Sequence, residues 1–347
     1  MRNLKTQIPS SHIKEVDCKM ASKQKLALQV KALLWERGQK ALEQAKQNVN
    51  QEKVAYEQIQ AALEYFMSSW YDVAHPALLA LACEAVGGKP ESTEQIAVAY
   101  VLLSGGADIH DDIIDESTYK YSKPTVLGKF GKDIAILAGD ALLFKGLITL
   151  HKACEALPEE QKQAVIKLTQ DAFFKIGCAE AKESRLKGKF DASVAQDFLD
   201  LIELKAAVGG ISAEIGAIVG GGTLKEAEVL GHFGKTLGVL LTIRDEFIDV
   251  FDFAELKNRA KNEWLPLPIL LTLKDAAKAG ELTSLLKGHL TKTKQERLIE
   301  LAINSKEARE LKKQMREMVK QETKRLATNN LKNVTFTLFL KSTVEDL

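Results

Sequence analysis

Two short acidic segments carry the side chains of this chain that are best suited to chemistry. Each has carboxylates at positions i, i+1 and i+4, which lie close to one face if the segment is helical. The six residues are Asp111, Asp112 and Asp115 in the first segment and Asp245, Glu246 and Asp249 in the second. Like charges so close together destabilise a helix unless a cation lies between them. Mg²⁺ prefers a few carboxylates plus phosphate oxygens, so the pattern predicts a Mg²⁺ site, with Mn²⁺ as the alternative ion.

The surroundings of the first segment favour a functional site over a solvated acidic face. Asp108 lies three residues before Asp111, so four carboxylates follow one helical stripe, and Ile109 and Ile113 flank it. Apolar neighbours predict partial burial, and a buried acidic stripe needs a cation. We interpret His110 as a packed residue that supports the site, because the carboxylates around it suit Mg²⁺ better than zinc.

Positive side chains near these segments could bind a diphosphate together with the metal ion. Metal ions and cations both stabilise negative charge on a departing phosphate group. Each candidate alone is more often a solvated surface lysine, but Lys205 stands out because residues 201–207 are largely apolar. The candidates are Lys120, Lys123, Lys205, Lys257 and Lys261.

The composition limits the class of protein. The chain has 347 residues, a formal net charge of +1 and a hydrophobic fraction of 46%, which is enough for a substantial core. The balanced charge argues against nucleic-acid binding, which usually needs a basic excess. The four cysteines lie far apart without metal-binding spacing, which is typical of reduced thiols in a cytoplasmic protein. No apolar run reaches the length of a membrane span, so we expect none.

Helical patterns cover nearly the whole chain, and strand-like alternation is almost absent. We expect a flexible polar arm over residues 1–24 and one all-α domain, a single large helical bundle, over residues 25–347. Each acidic segment lies near the C-terminal end of a predicted helix. The predicted helical segments cover residues 26–63, 76–86, 95–116, 132–156, 159–183, 195–219, 224–253 and 307–328.

The chain resembles the trans-polyprenyl diphosphate synthases, the polyprenyl synthetase family, at the acidic segments and at several motifs around them. The resemblance covers most of the chain, from about Tyr65 to the C-terminus. The matching motifs beyond the first acidic segment are Lys123-Pro124-Thr125-Val126, residues 137–143, Lys205, Ile243-Arg244-Asp245-Glu246 and Leu265-Pro266-Leu267-Pro268.

This resemblance implies an all-α bundle around a deep apolar cavity, usually dimeric, in which Mg²⁺ between two acidic motifs ionises an allylic prenyl diphosphate. Isopentenyl diphosphate then captures the carbocation. The implied metal ligands are Asp111, Asp112, Asp115, Asp245 and Asp249, with Glu246 where the family usually has aspartate. Of these, Asp111, Asp112, Asp115 and Asp245 are the implied catalytic residues, together with Lys205. Lys120 stands where the family has an arginine that contacts the allylic diphosphate, and Lys257 is a further candidate for substrate binding.

The chain departs from the family where the second diphosphate should bind. The family's Gly-Lys-x-x-Arg motif aligns with Tyr71-Asp72-Val73-Ala74-His75, so Asp72 replaces the lysine and His75 the arginine. The family's usual second arginine, its His or Gln, and its glutamine before the second motif align with Tyr121, Ser104 and Thr242. Each lost charge-assisted contact is worth about 1.5–3 kcal/mol, so the pocket predicts weak binding of isopentenyl diphosphate unless other residues replace them.

Three functional hypotheses follow from this mixture of matches and departures. The first is chain elongation with a rebuilt pocket that uses His75, Tyr121 or lysines elsewhere in the chain and gives a geranylgeranyl or longer diphosphate. The second is a terpene synthase of the same fold, which ionises a prenyl diphosphate without isopentenyl diphosphate. The third is a non-catalytic subunit of a heteromeric synthase, although the family itself points to a homodimer. The family favours the first hypothesis, and the altered pocket favours the second.

The residues one turn before the first acidic motif bear on product length. In the family, bulky aromatic residues at this position block the cavity, whereas this chain has Gly105, Gly106 and Ala107. Small residues predict an open cavity for a long chain, so Phe at Gly106 or Ala107 should shorten the product. The alternative is that the glycines allow two helices to pack closely.

Overall fold

The computed structural model of the chain describes residues 10–120, 123–186, 194–262, 264–331 and 333–345. The described residues form an all-α bundle with one two-residue hairpin, which confirms the predicted fold class. A 3₁₀ turn at Pro90–Thr93 joins α3 to α4, and the strands β1 and β2 are Tyr119–Lys120 and Lys123–Pro124. The helices are α1 Ser10–Asn50, α2 Glu57–Ser69, α3 Ala74–Ala85, α4 Glu94–Ile114, α5 Val126–Phe130, α6 Lys132–Glu155, α7 Glu159–Leu186, α8 Val194–Lys205, α9 Ala207–Val219, α10 Leu224–Asp249, α11 Phe253–Asn262, α12 Leu267–Thr272, α13 Ala276–Leu286, α14 Lys292–Ile303, α15 Lys306–Thr328 and α16 Val334–Ser342.

Two helix boundaries near the N-terminus differ from those predicted. Helix α1 begins at Ser10, inside the segment that we expected to be a flexible arm, because no proline or glycine interrupts residues 10–24. The predicted helix over residues 26–63 is two helices, α1 and α2, separated by residues 51–56. This break has no glycine or proline, and it lets α2 pack back against α1, so tertiary packing overrides local propensity here.

The core has two connected parts that place the acidic motifs at one end of the bundle. Helices α4 and α6 pack side by side in one part, and α9 packs against both α3 and α10 in the other. The α9–α10 crossing needs glycine, because a Cβ on Gly234 would lie 2.1 Å from the backbone oxygen of Gly209. A capping box between Thr223 and Glu226 fixes the start of α10 and therefore the phase of its acidic end.

Helix α6 is long and apolar enough to cross a membrane by length and composition, contrary to our expectation that no such run exists. Core helices of globular proteins pass the same test, so the observation is weak. The buried residues of α6, including Ala138, Gly139 and Leu142, face the bundle. Several of its large apolar side chains are exposed, among them Leu137 and Phe144.

Candidate active site

The two acidic motifs lie at the C-terminal ends of α4 and α10 and face one cavity of about 210 Å³. A helix C-terminus carries a partial negative charge, so the carboxylates add to an already negative region. Asp111 and Asp115 line the cavity from the first motif, and Glu246 and Asp249 line it from the second. The remaining lining residues are Ser117, Tyr119, Lys120, Glu183, Phe198, Leu201, Ile202, Lys205, Thr242, Glu255 and Arg259. This arrangement brings the two predicted motifs together.

The hairpin after α4 returns Lys120 over the first motif. Glu116 has a φ of 54°, which turns the chain at the helix end, and β1 pairs with β2. The Lys120 Nζ lies 2.9 Å from an Asp108 carboxylate oxygen and 3.0 Å from an Asp112 oxygen. Burial disfavours the charged Lys120, but Asp108 and Asp112 outweigh it and raise the pKa of its ammonium. One protein cation is therefore fixed at the first motif.

Lys205, at the end of α8, forms a second fixed cation with two glutamates of α7. Its ammonium pairs with Glu180 at 3.1 Å and also with Glu183. Burial opposes the charge on Lys205, but Glu183 and Glu180 raise its pKa, so it stays protonated. Burial raises the pKa of Glu180 to about 7, and Asp111 and Glu183 add to this rise while Lys205 opposes it. Helix α7 therefore adds acidic side chains close to the first motif.

Arg259, on α11, is the third fixed cation and contacts the second motif. Its guanidinium donates to Asp249 at 2.5 Å and to Glu246 at 2.9 Å, and its Nε donates to the Trp264 carbonyl at 3.0 Å. Arg259 is only 5% exposed, so solvent screens these pairs little. Asp252 extends the acidic run in sequence but lies beyond α10, where its side chain accepts from backbone N–H groups at the start of α11.

The charges around the cavity fit a divalent cation that is completed by phosphate oxygens. Six carboxylates and three cations line it, so acid is in excess. Burial raises the pKa of Asp112 to about 7; Lys120 opposes this rise, and Asp108 adds to it. A metal ion nearby would keep such a carboxylate ionised. Among the described residues, no three Asp, Glu, His or Cys side chains converge closely enough to hold a metal alone.

Each motif contributes two carboxylates to the cavity wall, and the third carboxylate of each lies off it. Asp245 does not line the cavity, and its side chain is 64% exposed, 3.9 Å from Arg244. Partial burial raises the pKa of Asp245 to about 6; Arg244 opposes the rise and Asp249 adds to it, but solvent screens all three effects at this exposure. The predicted ligands therefore differ in setting: Asp111 and Asp115 line the cavity, and Glu246 and Asp249 line it while paired with Arg259. Asp112 is paired with Lys120 and does not line the cavity.

The residues aligned with the second diphosphate pocket form a closed hydrogen-bond network. The Asp72 carboxylate, 7% exposed, lies 2.8 Å from His75 Nδ1 and accepts from the Ser104 hydroxyl at 2.6 Å. Burial acts to raise the pKa of Asp72, but the His75 charge and the hydrogen bonds lower it overall. Burial acts to lower the pKa of His75, but Asp72 raises it overall. These three side chains satisfy one another, and none of them is a fixed cation like a lysine or arginine.

The Asp72–His75 pair should make stability depend on pH. A raised pKa for His75 stabilises the fold below its unfolded value of about 6.5, and this contribution is lost as pH rises through the folded value. A lowered pKa for Asp72 stabilises the fold above about 3.9, and this contribution is lost as pH falls through the folded value. We expect the largest contribution between about pH 4 and 6.5. Thermal unfolding of wild type and His75→Gln, measured from pH 4 to 9, should show their difference shrink above neutrality; a constant difference would contradict this.

The structure favours close packing over an open cavity at two of the three small residues before the first motif. A Cβ on Gly106 would lie 2.8 Å from Leu143 Cγ and 2.9 Å from the backbone oxygen of Gly139, both on α6. A Cβ on Gly105 would lie 2.9 Å from the Phe66 ring. Gly106 therefore packs against α6, which corrects the expectation that it opens space for a long chain. Ala107 is half-buried and remains the candidate for controlling product length.

Substituting Gly106 should therefore damage the fold before it changes any product. We expect Gly106→Ala to lower the free energy of unfolding by about 1–3 kcal/mol, because the backbone oxygen of Gly139 cannot move aside. Gly177→Ala is the matched control, since nothing lies within 4 Å of its added Cβ in the middle of α7, and it should stabilise slightly. Chemical denaturation measures both. A Gly106→Phe variant of full stability that makes shorter products would restore the open-cavity interpretation.

The remaining residues predicted from the sequence differ in how they relate to the cavity. Lys257 is exposed on α11 and does not line the cavity, so the structure does not support its predicted contact with substrate. Tyr121 lies outside the described residues. His110 packs against Gly139 and lies 3.3 Å from Asp140, as expected for a supporting residue.

Sequence reasoning missed the charged residues on α7 and α11 that face the motifs, because their partners are distant in sequence. They are Glu180, Glu183, Glu255 and Arg259.

An all-α bundle with two acidic helix ends and fixed cations around one cavity defines a class of diphosphate-binding proteins. The chain belongs to the polyprenyl synthetase family, which matches residues 56–319. This confirms the resemblance. Its fold is similar to that of geranylgeranyl pyrophosphate synthetase from Pyrococcus horikoshii, with a TM-score of 0.79 and 20% identity, covering 92% of this chain and 98% of that one.

Curated relatives match a little over half of the chain. A short chain isoprenyl diphosphate synthase of Methanothermobacter thermautotrophicus is 30% identical over 190 residues, covering 54% of this chain and 57% of that protein. A geranylgeranyl diphosphate synthase of Methanosarcina mazei is 32% identical over 199 residues, covering 56% and 59%. A similar fold occurs in the geranylgeranyl pyrophosphate synthase of Corynebacterium glutamicum complexed with isoprenyl diphosphate and magnesium, with a TM-score of 0.72, 17% identity and coverage of 90% and 98%. The matches to the two curated relatives thus span less than two thirds of their length.

Proposed function

We propose that this protein transfers prenyl groups: it ionises an allylic prenyl diphosphate and joins it to isopentenyl diphosphate, giving a geranylgeranyl or longer diphosphate. The observation that carries the proposal is the single cavity between the two acidic helix ends, with Lys120 and Lys205 on its wall. The family and the geranylgeranyl diphosphate synthases among its relatives support the same reaction. They also favour a catalytic chain over a non-catalytic subunit.

The residues that line the cavity support the ionisation step of this proposal. The allylic C–O bond breaks, and its electron pair leaves with the diphosphate, so negative charge grows on phosphate oxygens. Lys120 and Lys205 are held beside this position by their carboxylate partners, and they stabilise the leaving group without having to reorganise. Mg²⁺ bound near Asp111 and Asp115 would supply further positive charge to the same oxygens. Phe198, Leu201 and Ile202 of α8 give an apolar wall for the prenyl chain.

The Asp72–His75–Ser104 network supports a second candidate function. None of these three residues is a lysine or an arginine, so they would hold a second diphosphate weakly, and this favours ionisation without isopentenyl diphosphate, as in a terpene synthase. The carbocation would then cyclise, lose a proton or react with water. The family relatives do not favour this candidate, so elongation remains the main proposal.

One experiment separates the two candidates. Purified protein with Mg²⁺ is incubated with geranyl, farnesyl or geranylgeranyl diphosphate, each with and without isopentenyl diphosphate, and products are separated by chromatography and mass spectrometry. Longer diphosphates that form only with isopentenyl diphosphate support elongation. Hydrocarbons or alcohols that form without it support the terpene synthase. An Asp115→Asn protein controls for contaminating activity.

We also propose a homodimer formed through the exposed apolar face of α6. The face consists of Ile136, Leu137, Phe144, Leu147 and Ile148, and Phe144 is 67% exposed. Several exposed apolar side chains on one helix are typical of a protein interface. Phe173 and Phe174 on α7 are also exposed, which gives the family's dimer further apolar surface to bury. A different partner on the same face would give a heteromer instead.

A charge on this face should shift the oligomeric state. We expect wild type to elute as a dimer in size-exclusion chromatography with light scattering. Phe144→Glu/Leu147→Glu should elute as a monomer, because two carboxylates would be buried in an apolar interface. Leu224→Glu, at an isolated apolar residue that is 88% exposed at the start of α10, is the control and should remain dimeric. A monomeric wild type would contradict the proposal.

Free thiols and the absence of a charge bias agree with a cytoplasmic location, which we propose on composition. Cys83 and Cys154 are buried and Cys178 is exposed, and all three are free. Fractionation of cells that express the tagged protein would test this location.

A further inference from the structure

The second acidic motif already contains a cation of its own. Arg259 enters from α11 and places its guanidinium between Glu246 and Asp249, with Nη–O distances of 2.9 and 2.5 Å. The third contact, from Nε to the Trp264 carbonyl at 3.0 Å, fixes the plane of the guanidinium. Such a forked arrangement is specific to arginine, and lysine could not reproduce it.

Glu246 has a structural partner in addition to Arg259. The oxygen Oε2 that accepts from Arg259 also accepts from the backbone N–H of Leu267 at 2.8 Å, at the start of α12. Glu246 is 6% exposed, and its longer side chain reaches between the two helices. A metal ion that bound this oxygen would have to replace both hydrogen bonds inside the protein. Separating a buried ion pair of this type is strongly unfavourable, because it leaves a buried charge without its partner, and this opposes metal binding here.

The charge balance differs between the two motifs. Glu246 and Asp249 share one guanidinium, and Asp245 lies toward solvent beside Arg244. In the first motif, Lys120 pairs with Asp108 and Asp112, while Asp111 and Asp115 line the cavity. Most of the negative charge that can attract a divalent cation is therefore on α4.

From this geometry we propose that Arg259 takes the place of a metal ion at the second acidic motif. The guanidinium is bound to both carboxylates and balances one of their two negative charges, and Glu246 serves as an anchor between α10 and α12 instead of a metal ligand. Divalent cations then bind from the Asp111–Asp115 side, with phosphate oxygens as their other ligands. This inference rests on the proposed metal-dependent function. It makes the site asymmetric, with metal ions at the first motif and an arginine at the second.

The number of bound metal ions tests the assignment without any turnover. Mn²⁺ with inorganic pyrophosphate serves as the probe, and free Mn²⁺ is counted by electron paramagnetic resonance. Glu246→Gln keeps an oxygen for Leu267 and should bind the same number of Mn²⁺ ions as wild type, with affinity within about twofold. Asp115→Asn should lose at least one ion. Glu296→Gln, at an exposed position on α14, controls for loss of one negative charge.

The outcomes separate this inference from the proposed function. Loss of one Mn²⁺ ion in Glu246→Gln would overturn the role of Arg259, even if prenyl transfer is confirmed. An unchanged count in Glu246→Gln supports it. Arg259→Gln, where circular dichroism shows it to be folded, should gain one Mn²⁺ ion because two carboxylates are released, and no gain would count against the inference. A wild-type protein that binds no Mn²⁺ with pyrophosphate would overturn the proposed function itself.

Discussion

Asp111→Asn and Asp115→Asn should each lower turnover of an allylic prenyl diphosphate by about 10³-fold, which corresponds to about 4 kcal/mol of transition-state stabilisation. Both side chains line the cavity at the C-terminal end of α4, where the helix adds negative potential of its own. Lys120 contacts Asp108 and Asp112. An asparagine keeps the size of the side chain but removes the charge that attracts the metal ion.

The measurement is steady-state release of pyrophosphate at saturating Mg²⁺, with thermal unfolding to show that each variant is folded. Removing an acidic group from a like-charged cluster should leave stability unchanged or slightly higher, because repulsion falls. Asp171→Asn, at an exposed position on α7, is the matched control and should keep full activity. If Asp115→Asn retains more than about a tenth of wild-type turnover, the metal does not bind where we place it.

Asp72→Lys/His75→Arg should lower the KM for isopentenyl diphosphate by at least about 100-fold. The double change restores the Lys-x-x-Arg pattern of the family in place of a buried acid and a histidine. Two added charge-assisted contacts are worth about 3–6 kcal/mol together, and the repulsive carboxylate of Asp72 is removed at the same time. The pair that these residues form in the wild type is lost, so the variant should be less stable without a ligand.

Inorganic pyrophosphate should restore part of that stability, because it would bind between the two new cations. Asp72→Asn/His75→Gln removes the same ion pair without adding positive charge, so it isolates the effect of the cations. Equal KM values for the two double variants would show that the second diphosphate binds elsewhere. The KM of the wild type for isopentenyl diphosphate is also informative. If it is already low, residues other than Asp72 and His75 bind the second diphosphate.

The sequence was sufficient for the fold class and the acidic motifs, for a physical reason. Carboxylates at i, i+1 and i+4 share one helix face whatever the tertiary structure, so Asp111, Asp112 and Asp115 could be grouped from spacing alone. The same local rule predicted the bounds of α4 and α10 to within a few residues. The largest difference is the end of α10, which was predicted at residue 253 and lies at Asp249. Asp252 belongs to the cap of α11 because a helix boundary is decided by local hydrogen bonds that spacing does not reveal.

Pairings between distant segments could not be predicted in this way. Arg259 lies ten residues after Asp249 in an ordinary polar stretch, and only the turn between α10 and α11 brings its guanidinium to the motif. In the sequence, Glu180 and Glu183 lie in a polar stretch that is typical of a solvated helix face, yet both pair with Lys205. Gly106 shows the same limit: its small size is visible in the sequence, but the neighbour that requires it, Gly139, is not.

The close contact between α4 and α6 connects the acidic end of α4 with the helix that carries the exposed apolar face. His110, next to Asp111, lies within 2.5 Å of where a Cβ on Gly139 would be, and Gly139 belongs to the helix that carries the exposed Phe144. A molecule bound to α6 would therefore contact the helix that packs against His110, the neighbour of Asp111 in the sequence. Coupling between two binding sites is reciprocal. If a partner on α6 changes the affinity for diphosphate by some factor, diphosphate changes the affinity for that partner by the same factor. The dimerisation constant, measured with and without pyrophosphate, would therefore show whether binding in the cavity is coupled to the α6 surface.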